Sequence, residues 1–367
     1  MNNKKSYKSE KSSFRNSFHE SIRSKDKKEA IARDFKELKE FFFSEEQKEN
    51  IKNMSWLKRI FYTSWWLLKT LFNKLTPIRR LLVLVGTIFI LININQSGNE
   101  ANNSQNLHII GGIILLFVLM LELKDKLLAK NELEAGRKIQ QALLPERSPN
   151  IPGWDIWLFT RSANEVSGDL IDYFPLEKSR HALVIADVAG KGLHAALLMA
   201  KLQTIIRTLA PDSSSIGSFG KKLNSVFSRE SLPNIFATVI YLEIKPDHGK
   251  VKLLNAGHYL PIGLINNKIQ ELPKGNPALG ILHNAKFIEQ SIQLKKDDFL
   301  LIYSDGLSEA RNEEGEFYGK DRILELLPKL SGQPAQEIGN RLIKESDQFV
   351  GTAKANDDLS LIVLKHI

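Results

Sequence analysis

The last two-thirds of the sequence predict an α+β fold in which antiparallel sheets are layered with helices. After residue 151 the chain contains short runs rich in β-forming residues and bounded by Gly, Asp, Asn or Pro, such as HALVIADV, ATVIYLEI, KVKLLNAG and DFLLIYSDG. Longer helical stretches interrupt these runs at 192–209, 215–228 and 334–348. Because strands outnumber helices and alternate poorly with them, antiparallel sheets are favoured over a doubly wound parallel sheet.

The amino-terminal part of the chain has a different composition. Residues 1–30 are rich in Ser, Lys and Asn and predict a disordered basic arm. Residues 31–80 predict a cytoplasmic or interfacial helical segment. Within it, SWLKRIFYTSWWLLKTLFNKL at 55–75 interleaves three tryptophans with four bases, which suits a helix in the headgroup layer of a membrane. The alternative is a surface helix packed on its own domain.

Two uncharged windows follow, at 81–98 and 101–121. Basic residues precede the first window and follow the second, and the positive-inside rule then places both ends in the cytoplasm. The sequence thus predicts a two-helix transmembrane hairpin over 81–121, with the chain on both sides of it in the cytoplasm. Alternatively, one window is a re-entrant segment or a buried core helix, because its apolar centre is short.

A linker helix is predicted over 122–145, where the text ELKDKLLAKNELEAGRKIQQALL is stopped by proline. An apolar stripe runs along it through Leu128, Ala135, Ile139 and Leu143. The stripe spans only about two heptads. It predicts either a seam for a homodimer or a face that docks on its own domain.

Composition excludes several classes of chemistry. The 367 residues include no cysteine, which rules out disulfides, thiolate metal sites and a cysteine nucleophile. The eight histidines lack metal-binding spacing, so a metal would be bound by carboxylates and would be a hard ion. Residues 1–80 contain 20 Lys and Arg against 10 Asp and Glu, whereas the rest contains 31 against 32. A basic tail on a near-neutral body argues against nucleic-acid binding and suits an anionic membrane.

Four acids stand at or near the ends of predicted strands. They are Asp169 in EVSGD, Asp187 in IADVAGKG, Asp305 in IYSDG and Asp357 in ANDDLS. In the second and third of these motifs an apolar strand ends in an acid beside glycine or a small residue, a design that projects a carboxylate from a rigid support. Several such acids together are what two Mg²⁺ or Mn²⁺ ions need. The alternative is that each acid only caps a turn.

In this order the motifs resemble the metal-dependent PPM serine/threonine phosphatases, in particular their SpoIIE/RsbU-like bacterial branch. The resemblance runs from 131 to 367, from ELEAGRKIQQALLP through LLNAGHYLP to ANDDLSLIVL. It implies an αββα sandwich of two antiparallel sheets over 151–367, with the ions between the sheet edges. It also implies the metal-site residues, which are Asp169, Asp187, Asp305, Asp357 and the backbone carbonyl of Val188.

The sequence departs from the branch pattern in the first acidic motif. Ser167 replaces a glycine, and Asp172 follows Leu-Ile where an aromatic residue is usual. Both changes keep the carboxylates, which predicts an active site. Arg161 is the candidate phosphoryl contact. Lys191 in AGKG lacks the spacing of a phosphate loop, and His258 in NAGH is expected to be a turn residue at the floor of the site.

The resemblance implies hydrolysis of phosphoserine or phosphothreonine on a regulatory protein by water activated between two metal ions. The partner it implies is a STAS-type anti-anti-sigma factor, and the charge distribution argues against nucleic acid as a partner. Together with the predicted hairpin, the resemblance implies a multi-pass protein of the bacterial inner membrane whose catalytic domain is cytoplasmic. The competing hypothesis is a membrane-tethered scaffold that binds a phosphoprotein without hydrolysing it. The presence of all four acids favours the enzyme.

Overall fold

The computed structural model describes residues 43, 51, 54–91, 101–177 and 179–367. The predicted disordered arm, residues 1–30, lies outside the described residues. The chain forms two compact units, residues 1–126 and 127–367. Each unit is described by itself.

The described residues of the first unit include helices α1 (Trp56–Lys74) and α2 (Pro77–Leu91) and the start of α3 (Ala101–Leu143), which continues into the second unit. Helices α2 and α3 approach closely where two glycines meet. A Cβ atom on Gly111 would lie 2.7 Å from the carbonyl oxygen of Gly86, so any larger residue would push the helices apart.

The start of α2 is tied to α3 by an ion-pair network. Arg79 lies 2.5 Å from Glu122 and 2.6 Å from Asp125, and its side chain is only 15% exposed. Arg79, early in α2, contacts residues 122 and 125 of α3, whereas Gly86, later in α2, contacts the earlier Gly111. The two helices therefore run antiparallel. Arg79 is one of the basic residues that precede the first uncharged window, and its charge is thus paired with acids.

The helices of the described residues do not support the transmembrane hairpin that was predicted over 81–121. Among the helices of the described residues, none combines the length and the apolar character that a membrane crossing requires.

The second unit is built on ten antiparallel strands in two five-stranded sheets. The first sheet has the order β1-β10-β9-β6-β7 and the second has the order β2-β3-β4-β5-β8. The strands are β1 (Trp154–Arg161), β2 (Asp169–Leu176), β3 (Arg180–Val188), β4 (Ala237–Lys245), β5 (His248–Ala256), β6 (Ile262–Ile265), β7 (Lys268–Glu271), β8 (Gln290–Gln293), β9 (Phe299–Tyr303) and β10 (Leu359–His366).

Helices cover the outer face of each sheet. They are α4 (Leu193–Leu209), α5 (Ile216–Glu230), α6 (Asp305–Ser308), α7 (Lys320–Leu326) and α8 (Ala335–Val350), with a 3₁₀ turn at Leu327–Leu330. Helices α4 and α5 pack on the second sheet, and α7 and α8 pack on the first. The helical stretches predicted at 192–209, 215–228 and 334–348 correspond to α4, α5 and α8.

Alternation along the strands produces the layers. In β3, Ala182, Val184 and Ala186 face the helices, whereas Leu183 and Ile185 face the other sheet. All five are fully buried, as expected for a sheet covered on both sides. The resulting order of helix, sheet, sheet and helix confirms the predicted αββα sandwich.

The linker helix is longer than predicted. The sequence predicts a separate helix over 122–145, but α3 runs without a break from Ala101 to Leu143. Its carboxyl-terminal end is held by α4, because the side-chain amide of Gln203 donates to the carbonyl of Leu143 at 3.1 Å.

Candidate metal centre

The fold brings the four predicted acids to one edge of the sandwich. Asp169 begins β2 and lies directly opposite Asp187 near the end of β3 in the second sheet. In the first sheet, Asp305 follows β9, and Asp357 precedes the adjacent antiparallel strand β10. Each sheet thus supplies two carboxylates.

The acids are close enough to disturb each other's ionisation. Burial, followed by the charges of Asp357 and Asp358, raises the pKa of Asp187 to about 6. Burial, followed by the charges of Asp187 and Asp357, raises the pKa of Asp305 to about 7. Such repulsion between carboxylates is the electrostatic signature of a site that needs a cation. Within the described ranges, however, no three acidic or histidine side chains converge tightly enough to form a ready-made ion site.

Asp169 is the most deeply buried of the four acids, at 4% exposed. Its Oδ2 atom has no hydrogen-bond partner. Burial, and then the charge of Asp187, raises its pKa well above the usual range, although the nearby hydroxyls of Ser360 and Ser304 act in the opposite direction. An orphaned buried carboxylate oxygen in an all-oxygen site fits a hard divalent cation.

Asp358 holds the loop that leads into β2, a role that the sequence analysis missed. Its carboxylate accepts hydrogen bonds from the backbone N–H of Ala163 at 2.8 Å and of Gly168 at 2.7 Å, and from the hydroxyl of Ser167 at 2.8 Å. Ser167 therefore has a structural reason to replace the usual glycine: its hydroxyl is a third donor to this buried acid. In the sequence, the only indication of this role was the second of the two adjacent aspartates in ANDDLS.

Glycine next to Asp305 permits the close approach of the two acidic segments. A Cβ atom on Gly306 would lie 2.0 Å from the carbonyl oxygen of Asp358. Any other residue would push the Asp357–Asp358 segment away from Asp305. Close packing against the Asp358 carbonyl is therefore the reason for the glycine after this acid.

Val188 ends β3 and leads into the loop AGKG. A Cβ atom on Gly168 would lie 3.5 Å from the Val188 carbonyl oxygen, which places this carbonyl beside the loop that precedes Asp169. Gly190 and Gly192 have φ angles of 116° and 71°, in the region that favours glycine. The loop therefore depends on its two glycines.

Lys191, at the centre of that loop, contacts the acidic cluster. Its ammonium group donates to Asp357 Oδ2 at 2.7 Å and to the carbonyl of Asn356 at 2.9 Å. The hydrogen bond with Asp357 raises the pKa of Lys191. The spacing around Lys191 argued against a phosphate loop, but it did not predict this ion pair with Asp357.

Two other predicted polar residues have partners away from the cluster. The guanidinium of Arg161, at the end of β1, pairs with Asp347 on α8 at 2.6 and 3.0 Å. Asp172 is fully buried on β2 and pairs with Arg207 on α4. Asp172 is thus a structural acid, and the phosphoryl contact of Arg161 stays a prediction.

His258 lies in a turn beneath the site, as expected from NAGH. Asn255 closes the turn by accepting from the His258 N–H at 2.8 Å. The ring Nδ1 is 2.8 Å from the hydroxyl of Thr238, which lies opposite Asp187 in the sheet. Burial lowers the pKa of His258 to about 4, so the ring is neutral at physiological pH.

The end of α3 also contacts the acidic loop. The side-chain amide of Gln140 donates to the Ser167 carbonyl at 2.9 Å and accepts from the Ser167 N–H at 3.0 Å. Ser167 in turn donates to Asp358. Two residues thus connect the linker helix to the segment that carries Asp169.

Known proteins share this sequence pattern. The family model described as Stage II sporulation protein E (SpoIIE) matches residues 177–367. Protein IcfG of Synechocystis sp. is 29% identical over 280 residues, which are 67% of this chain and 43% of IcfG. Phosphoserine phosphatase RsbU of Bacillus subtilis is 28% identical over 242 residues, covering 64% of this chain and 70% of RsbU. The chain thus spans less than half the length of IcfG.

Solved structures share the fold. The SiaA-PP2C domain of Pseudomonas aeruginosa aligns with a TM-score of 0.59 at 18% identity, over 66% of this chain and 99% of that domain. The PP2C phosphatase domain of SpoIIE from Bacillus subtilis, solved with a fragment of its regulatory domain, aligns with a TM-score of 0.52 at 20% identity, over 60% of this chain and 64% of that one. The two-sheet fold is therefore that of the PP2C phosphatases. The chain belongs to the SpoIIE family, within the SpoIIE/RsbU-like branch of the PPM phosphatases.

Proposed function

We propose that this chain is a metal-dependent protein serine/threonine phosphatase. The observation that carries the proposal is the acidic edge, where burial and then the charges of neighbouring carboxylates, Asp357 among them, raise the pKa of both Asp187 and Asp305. A divalent cation would relieve this repulsion. Membership of the SpoIIE family supports phosphate-ester hydrolysis as the chemistry.

The residues that would hold two Mn²⁺ or Mg²⁺ ions are Asp187, Asp305, Asp357 and the carbonyl of Val188. Asp169 would complete the set from below with its unpartnered carboxylate oxygen. Carboxylate and carbonyl oxygens are the ligands that these hard ions prefer. Lys191 would orient Asp357 through its hydrogen bond of 2.7 Å.

When bound, the ions supply Lewis acidity, which activates water and neutralises phosphoryl oxygens. The chain itself binds and orients. Asp358 fixes the loop before Asp169 through three hydrogen bonds, and His258 supports the strand position opposite Asp187 through Thr238. The chain has no cysteine, and we assign no protein nucleophile to the reaction.

Arg161 is the residue that we propose for contact with the substrate phosphoryl group. It must exchange its carboxylate partner Asp347 for the phosphate. Both side chains of this pair are more than 40% exposed, and exposed ion pairs are worth only about 0–1 kcal/mol. The exchange therefore costs little.

The substrate that we propose is a phosphorylated regulatory protein of the STAS-type anti-anti-sigma class. Support comes from the motif resemblance and from the similarity to RsbU, which is named a phosphoserine phosphatase. The test compares phosphate release from a phosphoserine-bearing STAS protein with release from a short phosphoserine peptide. Faster release from the folded protein supports this class, and equal rates would contradict it.

The activity is tested on the purified full chain with a phosphoserine peptide. We expect Mn²⁺-dependent release of phosphate, loss of activity with EDTA, and recovery with excess Mn²⁺. Asp187→Asn should be inactive, whereas the control Asp321→Asn, which changes an exposed acid of α7, should retain wild-type activity. Equal hydrolysis without any divalent ion would overturn the proposed function.

We also propose that the linker helix is the dimer seam. The stripe on α3 remains uncovered: Leu128 is 52% exposed and Ile139 is 67% exposed. Gln140, on another side of the helix, would connect this seam to the acidic loop. Ala135→Glu combined with Ile139→Glu should lower the mass of the chain in solution, and Lys138→Ala is the control. An unchanged mass would mean that the stripe is a solvated face.

A further inference from the structure

Helix α1 exposes a continuous apolar surface. We define its aromatic face as Leu57, Phe61, Trp65 and Leu68, which are 63%, 66%, 58% and 64% exposed. Their spacing of four, four and three residues places them on one side of an α-helix. Large apolar side chains in such a row indicate an interaction surface.

The aromatic face is not the side by which α1 packs on its own unit. Thr63 and Leu67 are the buried residues of the helix, and Leu67 forms a small cluster with Phe43 and Ile51. At 100° per residue, these two positions lie on a different side of the helix from Phe61 and Leu68. The aromatic face is therefore available to an external partner.

Charge indicates what that partner is. Helix α1, residues 56–74, contains four Lys and Arg and no Asp or Glu. On the helical wheel, Lys58 and Lys69 fall at the edge of the aromatic face beside Trp65, where their ammonium groups can reach past the apolar side chains. Tryptophan and lysine in this arrangement suit the boundary between headgroups and acyl chains.

A second copy of the chain fits the same surface poorly. Two aromatic faces in contact would bring the bases of both copies together without any acid from α1 to compensate, since α1 contains none. Anionic headgroups provide the opposite charge over a wide surface.

We propose that the aromatic face of α1 binds the surface of a bilayer rich in anionic phospholipid, with the helix lying parallel to the membrane plane. This contact would hold the chain at the cytoplasmic leaflet of the cell membrane. It is independent of the phosphatase chemistry.

The test uses the full chain and vesicles of phosphatidylglycerol mixed with phosphatidylcholine, with pure phosphatidylcholine as the neutral surface. Co-sedimentation should show preferential binding to the anionic vesicles. Phe61→Ser combined with Leu68→Ser should weaken binding at least about tenfold, because two large apolar side chains no longer enter the bilayer. The matched control is Ile281→Ser with Ile288→Ser, two exposed apolar residues of the second unit, which should bind like the wild type.

The bases provide a second, less disruptive variant. Lys58→Gln combined with Lys69→Gln should remove the preference for anionic vesicles while leaving the weaker binding to neutral ones. Unchanged preference in this variant would contradict the anionic headgroup as the partner.

Tryptophan fluorescence reports directly on the face. Trp154 and Trp157 are buried at 4% and 3% exposed, whereas Trp56 and Trp65 are 70% and 58% exposed. Anionic vesicles should shift the emission to the blue and protect it from aqueous iodide, and Trp65→Phe should reduce this protection. Wild-type binding by the Phe61→Ser, Leu68→Ser variant would overturn the proposal. A second result would also overturn it. If the wild type self-associates without vesicles and this variant does not, the aromatic face binds a second copy of the chain.

Discussion

Strand β3 and helix α1 are both rich in apolar residues, but they differ in what covers them. In β3 every residue from Ala182 to Ala186 is fully buried between helices and the opposite sheet. In α1, Leu57, Phe61 and Leu68 are each more than 60% exposed. The apolar residues of β3 are thus covered within the second unit, which presents acids at one edge, whereas α1 leaves a row of apolar side chains exposed.

This difference separates the effects that substitutions should have. Changes at the acidic edge should alter chemistry and local electrostatics within the catalytic unit. Substitutions on the aromatic face should alter binding to the membrane surface and leave the structure and activity of the second unit unchanged.

We expect the largest effect from Asp305→Asn. The substitution removes a carboxylate whose pKa is raised to about 7 by burial and by neighbouring acids. Hydrolysis of a phosphoserine peptide should fall by roughly a thousandfold or more, because a charge that binds the ions is lost. The metal-free protein should unfold at the same or a higher temperature, since repulsion is relieved. Retained activity would contradict the role of Asp305.

Asp358→Ala should destabilise the acidic loop. Three donors, from Ala163, Ser167 and Gly168, lose one buried acceptor. We expect the free energy of unfolding to fall by about 3 kcal/mol and activity to fall with it. The matched variant Ser167→Gly removes one of the three donors to Asp358 and also the hydroxyl that accepts from the Asp169 N–H, and should cost about 2 kcal/mol in urea unfolding. Equal losses in the two variants would show that Asp358 is not the centre of this network.

His258 should make stability depend on pH. Burial holds its folded pKa at about 4, below the unfolded value of about 6.5. The unfolded chain therefore binds a proton that the folded chain does not. The neutral, buried ring therefore contributes up to roughly 3 kcal/mol to the free energy of unfolding above a pH of about 6.5. This contribution is lost as the pH falls toward 4.

The pH effect is isolated by comparing variants. The free energy of unfolding of His258→Gln should lose less between pH 7 and pH 4 than that of the wild type, whereas His283→Gln, at an exposed histidine, should follow the wild type. Parallel profiles for His258→Gln and the wild type would exclude His258 as the source.

The smallest effect is expected at α1. Phe61→Ser combined with Leu68→Ser should leave hydrolysis of a soluble phosphopeptide within about twofold of the wild type, since exposed substitutions rarely change stability by more than about 0.5 kcal/mol. A stopped assay without vesicles measures this. A large loss of activity would mean that the two units are not separate in function.

The layered fold and the acidic edge could be predicted because both depend on local patterns. Alternation in β3 determines which residues face the other sheet, and an acid after an apolar strand is visible in IADV and IYSDG. Antiparallel pairing then places Asp169 opposite Asp187.

The contacts of the site could not be predicted, because they depend on tertiary geometry. Which acid of the 357–358 pair faces the loop at 163–168 depends on how β10 enters the sheet, and the partner of Arg161 is supplied by α8, 186 residues away. The membrane hairpin was predicted from two uncharged windows and the basic residues around them, but the helices in the described ranges do not combine the length and the apolar character that a membrane crossing requires.

The central claim is that the acidic edge is a divalent-metal site, and Mn²⁺ titration of the metal-free full chain tests it most directly. By calorimetry we expect two ions per wild-type chain, with at least one lost in Asp305→Asn and both retained in Asp321→Asn. Absence of Mn²⁺ binding to the wild type, or identical binding by the wild type and Asp305→Asn, would contradict the account.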